Sequence, residues 1–120
     1  MTELKGKVAL VTGAAKGIGK AAAVKLAEEG VHVAINYNSS KQEAEETVKD
    51  LKEFGIDSIS CQADVGNLGQ VTKMVNEISE HFGQIDILVN NAGIIDDGLL
   101  LRMSDEAWER VINTNLNGTF

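Results

Sequence analysis

Eight residues near the start of the chain, Thr12-Gly-Ala-Ala-Lys-Gly-Ile-Gly19, combine three glycines with a lysine between an apolar run and a helical pattern. That placement suits phosphate binding, because free backbone N–H groups at a helix N-terminus attract anions. Gly13 allows the unusual φ of a tight turn, while Gly17 and Gly19 let backbone approach a ligand and let helix and strand pack closely. The spacing departs from the fingerprint with two glycines in its first three positions, so taken alone the cluster also reads as a plain turn. Other polar residues fall at apparent strand ends. Asp64 is compatible with a strand-end or helix-capping carboxylate, and the Asn90 amide could tie neighbouring strands. Cys61, the only cysteine, excludes an internal disulfide and reads as a buried thiol. His32 and His81 lack partners at metal-ligand spacing, so no metal site is expected, and Asp96 with Asp97 reads as a solvated turn before Gly98.

The elements that must position these residues alternate. Lys7 to Thr12 is nearly continuously apolar, as in a strand covered on both faces. A first helix follows, with Ile18, Ala22 and Leu26 on its apolar face and Gly30 as its stop. Val31 to Asn36 is a second strand. Ser40 with Glu43 forms the pattern of a capping box before a helix with Ala44, Val48 and Leu51 inward. Ser58 to Ala63 is a third, more polar strand. Asn67 and Gln70 open a third helix with Val71, Met74, Val75, Ile78 and Phe82 on one side. Ile85 to Val89 is a fourth strand, then a loop from Asn90 to Met103 leads to a helix from about Ser104 with Trp108, Val111 and Ile112 inward. Strand and helix alternating in this way imply a parallel sheet with right-handed crossovers and helices on both faces.

At 120 residues the chain suffices for one domain. Apolar residues at 43% and charged residues at 24% are an ordinary globular mixture. A net charge of −7 without a Lys/Arg face argues against nucleic acid or anionic membrane as a partner. No apolar run approaches the roughly 20 residues of a membrane span, and Met1 to Lys7 lacks the pattern of a signal peptide, so a cytoplasmic protein is expected.

TGAAKGIG at Thr12–Gly19, Asp64-Val65 after the third strand, NNAG at Asn90–Gly93 after the fourth, and INTNLNGTF at Ile112–Phe120 occur in one order and spacing across essentially the whole chain. Together they resemble the short-chain dehydrogenase/reductase family, and the stretch from Asp86 to Gly118 is most similar to its bacterial-type 3-oxoacyl-thioester reductases. The resemblance implies a three-layer α/β Rossmann-type half domain over residues 1–120, sheet order 3-2-1-4. It implies that Gly13, Ala15, Lys16, Gly17, Ile18 and Gly19 hold a pyrophosphate, and that Asp64 bonds adenine with Val65 beside it. It further implies that Asn91, Ala92 and Gly93 line the nicotinamide ribose and that Asn115 supports a proton-relay water. The family's Ser, Tyr and Lys would follow Phe120. Tyr37 and Lys41 have the Tyr-x-x-x-Lys spacing but stand at the adenosine end, so the 120 residues alone are expected to be inactive.

An NAD site usually ends its second strand in a carboxylate that binds the ribose hydroxyls. Here that strand ends Asn36-Tyr-Asn-Ser-Ser40. With no carboxylate to repel a 2′-phosphate, and with Lys16, Lys41, Asn38 and Ser39 nearby, NADP is expected over NAD; solvated surface lysines are the competing reading. An open edge on the fourth strand and apolar surface on the last helix lead us to expect homo-oligomers. The competing readings are a stable half-domain, with a rearranged sheet, that binds nucleotide or self-associates, and a portion of a sugar or alcohol dehydrogenase, whose sequences in the same family are similar.

Overall fold

β1 (Val8–Val11) forms the centre of a parallel sheet in the computed structural model, which describes residues 4–91 and the backbone of 112–114. β2 (His32–Tyr37) pairs with β1, β3 (Ser58–Gln62) with β2, β4 (Ile87–Val89) with the other side of β1, and β5 (Ile112–Thr114) with β4. The order is β3-β2-β1-β4-β5. The expected 3-2-1-4 arrangement is present within it, but the edge of β4 is not open. Ile112, read from sequence as an inward residue of the last helix, lies in a strand whose register sets it beside Ile87. A strand edge leaves a row of unpaired N–H and C=O groups, and a segment with two β-branched residues is well suited to pairing with it. The remainder of that expected helix, Trp108 and Val111 included, lies outside the described residues.

The apolar run of β1 is explained by burial on both faces. Val8 and Leu10 join Ala34, Leu88 and the inner side of α3 (Leu68–Phe82) in one core. Ala9 and Val11 join Val33, Ile35, Ile87 and Val89 against α1 (Gly17–Glu28) and α2 (Lys41–Lys52) in the other. Helices thus cover both faces of the sheet. α3 buries Val71, Met74, Val75 and Ile78, as its periodicity predicts.

α1 and α2 differ in detail from the sequence reading. α1 turns Gly19, Ala23 and Ala27 inward, one residue round from the expected Ile18, Ala22 and Leu26. Ile18 is 55% exposed, while Ala22 and Leu26 are half-buried. The helix lies too close to the sheet for large side chains, and only Gly19 fits against the turn after β1. In α2, Thr47 takes the buried place beside Ala44 and Leu51, and Val48 is half-buried. Ser40 makes no side-chain cap, so the expected capping box does not form. At α3, by contrast, Asn67 accepts a hydrogen bond from the Gln70 N–H, and the Gln70 side chain instead accepts from the N–H of Asp64.

Because all strands are parallel, their C-terminal ends share one edge of the sheet. The chain runs from β1 outward through β2 and β3, then returns to the other side of β1 as β4. Loops after β1 and β4 therefore diverge at a topological switch point, where ligands of such sheets bind.

Candidate nucleotide-binding site

Past β1, the Thr12 N–H donates to Val89 O (3.0 Å) and its hydroxyl to Asn90 Oδ1 (3.2 Å). Asn90 is buried and serves the strand-tying role allowed for it in sequence. Gly13, at φ +61°, then turns the chain. Its N–H donates to Asn36 Oδ1 (3.2 Å), its carbonyl accepts from Asn91 Nδ2 (3.2 Å), and the Ala14 N–H donates to Asn36 O (3.1 Å). Ala14 and Ala15 are buried, and the Ala15 carbonyl accepts from the Thr47 hydroxyl at 2.8 Å. Lys16 is extended, and Gly17 enters α1 at φ +66°.

Gly17 and Gly19 answer different needs. An added Cβ at Gly17 would meet nothing within 4 Å, so its side faces open space and the left-handed backbone is what calls for glycine. At Gly19 the same Cβ would stand 2.3 Å from Gly13 O and 2.8 Å from Asn91 Nδ2. Close helix–turn packing is its reason.

The first turn of α1 has no side-chain cap and no acidic residue. Its N–H groups, which have no intrahelical acceptor, meet the positive end of a helix dipole worth about half an elementary charge. Ile18 stands exposed at this end. The arrangement fits an anion that approaches the backbone closely, and the diphosphate of a dinucleotide has that chemistry.

Two other expected residues border the same sheet edge. Asp64 follows β3; its Oδ1 accepts from the Gly66 N–H (2.9 Å), a local turn bond, while Val65 is buried in the α3-side core. Asn38 follows β2 and accepts from the Gln62 amide through its carbonyl (3.1 Å) and its side chain (3.4 Å). Lys16 Nζ lies 3.9 Å from Glu43 Oε2, both groups being exposed, and Lys41 opens α2. Ala92, Gly93 and Asn115 lie outside the described residues, as do Asp96 and Asp97.

Sequence reasoning missed Asn36 and Thr47. Asn36 is buried, and its Nδ2 donates to Ala63 O (3.0 Å), so one amide joins the turn after β1 to the end of β3. Its signal was a polar residue directly after the apolar run Val33 to Ile35. For Thr47 it was a hydroxyl at the i+3 position from Ala44.

At the opposite edge, His81 Nε2 lies 2.8 Å from Asp57 Oδ2, and the Asp57 N–H donates to His32 Nδ1 (2.9 Å). Asp57 is thus a carboxylate companion that spacing along the chain did not reveal. Among the described residues, no group of three or more His, Cys, Asp or Glu side chains could hold a metal ion. Cys61 is buried, and burial, helped by the Glu77 charge, pushes its thiol from the ordinary 9.0 up to about 12.

Residues 7–120 match the family described as short chain dehydrogenase. The chain belongs to that family. It is 51% identical over 114 residues to the 3-oxoacyl-[acyl-carrier-protein] reductase FabG of Staphylococcus aureus, covering 95% of this chain and 46% of that protein. To the versicolorin reductase of Emericella nidulans it is 46% identical over 117 residues, 98% of this chain and 44% of the other. The chain thus spans about half the length of the curated relatives it matches. Among solved structures, a short chain dehydrogenase from Burkholderia cenocepacia in complex with NADP superposes with a TM-score of 0.73 at 42% identity, covering 87% of this chain and 42% of that one. An NAD+-bound xylitol dehydrogenase gives 0.69 at 36% identity, covering 72% and 33%.

Proposed function

We propose that this chain is the NADP(H)-binding portion of a short-chain oxidoreductase whose reaction is reduction of a 3-oxoacyl thioester to the 3-hydroxyacyl form. The observation that carries the reading is the uncapped N-terminus of α1, held open beside a turn anchored at the Gly13 N–H and carbonyl, the Ala14 N–H and the Ala15 carbonyl. The first-turn N–H groups from Gly17 to Gly19 donate to the diphosphate, and Gly17, whose side faces open space, leaves room for it. Asp64 accepts from the adenine amino group, with Val65 forming the apolar floor beside it. Asn91, Ala92 and Gly93 line the nicotinamide ribose.

Preference for NADP rests on the end of β2. Asn36, Tyr37 and Asn38 stand where a ribose-binding carboxylate would repel a 2′-phosphate, and Lys16 and Asn38 supply charge and hydrogen bonds to it. Titration with both nucleotides checks this: NADPH should bind at least about tenfold tighter than NADH, a difference of about 1.4 kcal/mol. Lys16→Ala should shrink that gap, weakening NADPH binding more than NADH binding. Equal affinities for the two nucleotides in the wild type would reject the assignment.

The cofactor supplies hydride to the ketone carbon, and a protein acid supplies the proton to its oxygen. Among the 120 residues the only tyrosine, Tyr37, ends β2, on the adenosine side of the proposed site, and Asn115 is the catalytic residue that supports a proton-relay water. The 120 residues alone should therefore bind NADPH without oxidising it when offered an acetoacetyl thioester. A protein carrying them together with the family's Ser, Tyr and Lys should oxidise it. Turnover of sugars or simple alcohols instead of the thioester would transfer the assignment to another branch of the family. Cytoplasmic location and homo-oligomeric assembly belong to the same proposal. No helix among the described residues is long and apolar enough to cross a membrane.

A further inference from the structure

The structure assigns Thr47, in the middle of α2, the role of a positioning residue for the diphosphate loop, an inference that rests on the nucleotide-binding reading above. Thr47 is fully buried, and its hydroxyl donates to the Ala15 carbonyl at 2.8 Å across 32 residues of sequence. A helix has no need of this bond, and Thr at an apolar-facing position is a poorer helix former than the Ala or Leu on either side of it. What the bond controls is a peptide plane. In a trans peptide the carbonyl and the following N–H point in opposite directions, and no cis bond occurs among the described residues. Drawing the Ala15 carbonyl toward α2 therefore aims the Lys16 N–H the other way, one residue ahead of the open turn at Gly17.

The preceding part of the loop is anchored by different groups. Asn36 Oδ1 and Asn91 Nδ2 hold Gly13 at its N–H and its carbonyl, and the Ala14 N–H donates to Asn36 O. Ala15 is held by the Thr47 hydroxyl at its carbonyl, at the last step before the backbone turns to present its amides. Loss of that anchor would free one peptide plane while leaving the turn and the sheet beneath it intact. Such a plane must then be ordered when the ligand binds, and affinity falls by that cost.

Thr47→Val keeps shape and removes the donor; Thr47→Ser keeps the donor. With the full chain, Thr47→Val should weaken NADPH binding by about 3- to 10-fold, the equivalent of one ordinary hydrogen bond. Adenosine 2′-monophosphate, which has no diphosphate, should bind Thr47→Val and wild type alike, and Thr47→Ser should bind both ligands as wild type does. Hydrogen exchange without ligand should show faster exchange at residues 15–17 in Thr47→Val, with β1 and β2 amides unchanged. Unaltered NADPH binding and unaltered exchange in Thr47→Val would overturn the role, as would an equal loss for both ligands, which marks a general structural effect. Should Thr47→Val fail to fold, Thr47→Cys, of similar volume and weaker donor strength, carries the same comparisons. A wild type that binds neither ligand would refute the nucleotide-binding reading, and the exchange comparison would still decide whether Thr47 sets the loop.

Discussion

At single positions, the glycines of the loop separate two causes that sequence motifs merge. Gly19→Ala puts a methyl group 2.3 Å from a backbone carbonyl and 2.9 Å from the Ala14 Cα. Neither is the end of a flexible side chain, so α1 must shift, and we expect a loss of about 1–3 kcal/mol by urea denaturation. Gly17→Ala meets no neighbour but holds alanine at φ +66°, so about 1–2 kcal/mol is expected from backbone strain alone. Cys61 offers a test of burial. Its thiol keeps its proton to about pH 12 in the folded chain, whereas the unfolded chain ionises near 9.0. The unfolded state then binds fewer protons, so the contribution of Cys61 to stability should be constant below pH 9 and fall as pH rises from there toward 12. Iodoacetamide at pH 8 should label Cys61 only after denaturant is added; rapid labelling of the native protein would contradict its burial.

Helix starts show how far local patterns carry at the scale of an element. Asn67 and Ser40 both have the residue type of an N-cap, yet only Asn67 accepts a bond from its helix. Asn67→Ala should therefore cost about 1 kcal/mol of unfolding free energy, and Ser40→Ala close to nothing. The reciprocal bond of a capping box is missing at α3 as well, because the Gln70 side chain reaches the Asp64 N–H. That contact joins the helix start to the end of β3, beside the residue proposed to meet adenine. α2 gives a comparable lesson: its apolar spacing made the inner face legible as far as Ala44 and Leu51. Thr47, between them on the same face, is legible as buried, but the meeting of its hydroxyl with the Ala15 carbonyl in the loop after β1 is not.

For the whole molecule, joining β4 to the sheet is the step that brings the two halves of the site together. It is anchored 78 residues away in sequence by Asp86, whose buried Oδ2 accepts from the Val8 N–H (2.9 Å) and from the Gln84 amide (2.6 Å). Asp86→Ala leaves the Val8 N–H without its acceptor, and denaturation should register a loss of about 1–3 kcal/mol. Assembly is also a property of this scale. With β5 alongside β4, the edges of the described sheet are β3 and β5, so the expected pairing through an open β4 edge loses its basis. Homo-oligomeric assembly remains a proposal, and sedimentation at high concentration that shows monomer alone would reject it.

The order of elements, the two-sided burial of β1 and the glycine loop between strand and helix were all legible from the chain, because period, apolar content and turn chemistry act over a few neighbouring residues. The three glycines could be named on the same grounds, whereas Asp64 and Asn91 were named as site residues by the resemblance to the family's motifs. Which way a helix turns its small residues, that Asn36 and Thr47 hold the loop, that Asp57 meets His81, and that Ile112 lies in a strand are matters of contact between segments far apart along the chain. Hydrogen bonds and close packing act only at short range in space. Their partners exist only once β2, α2 and β4 have been brought against β1.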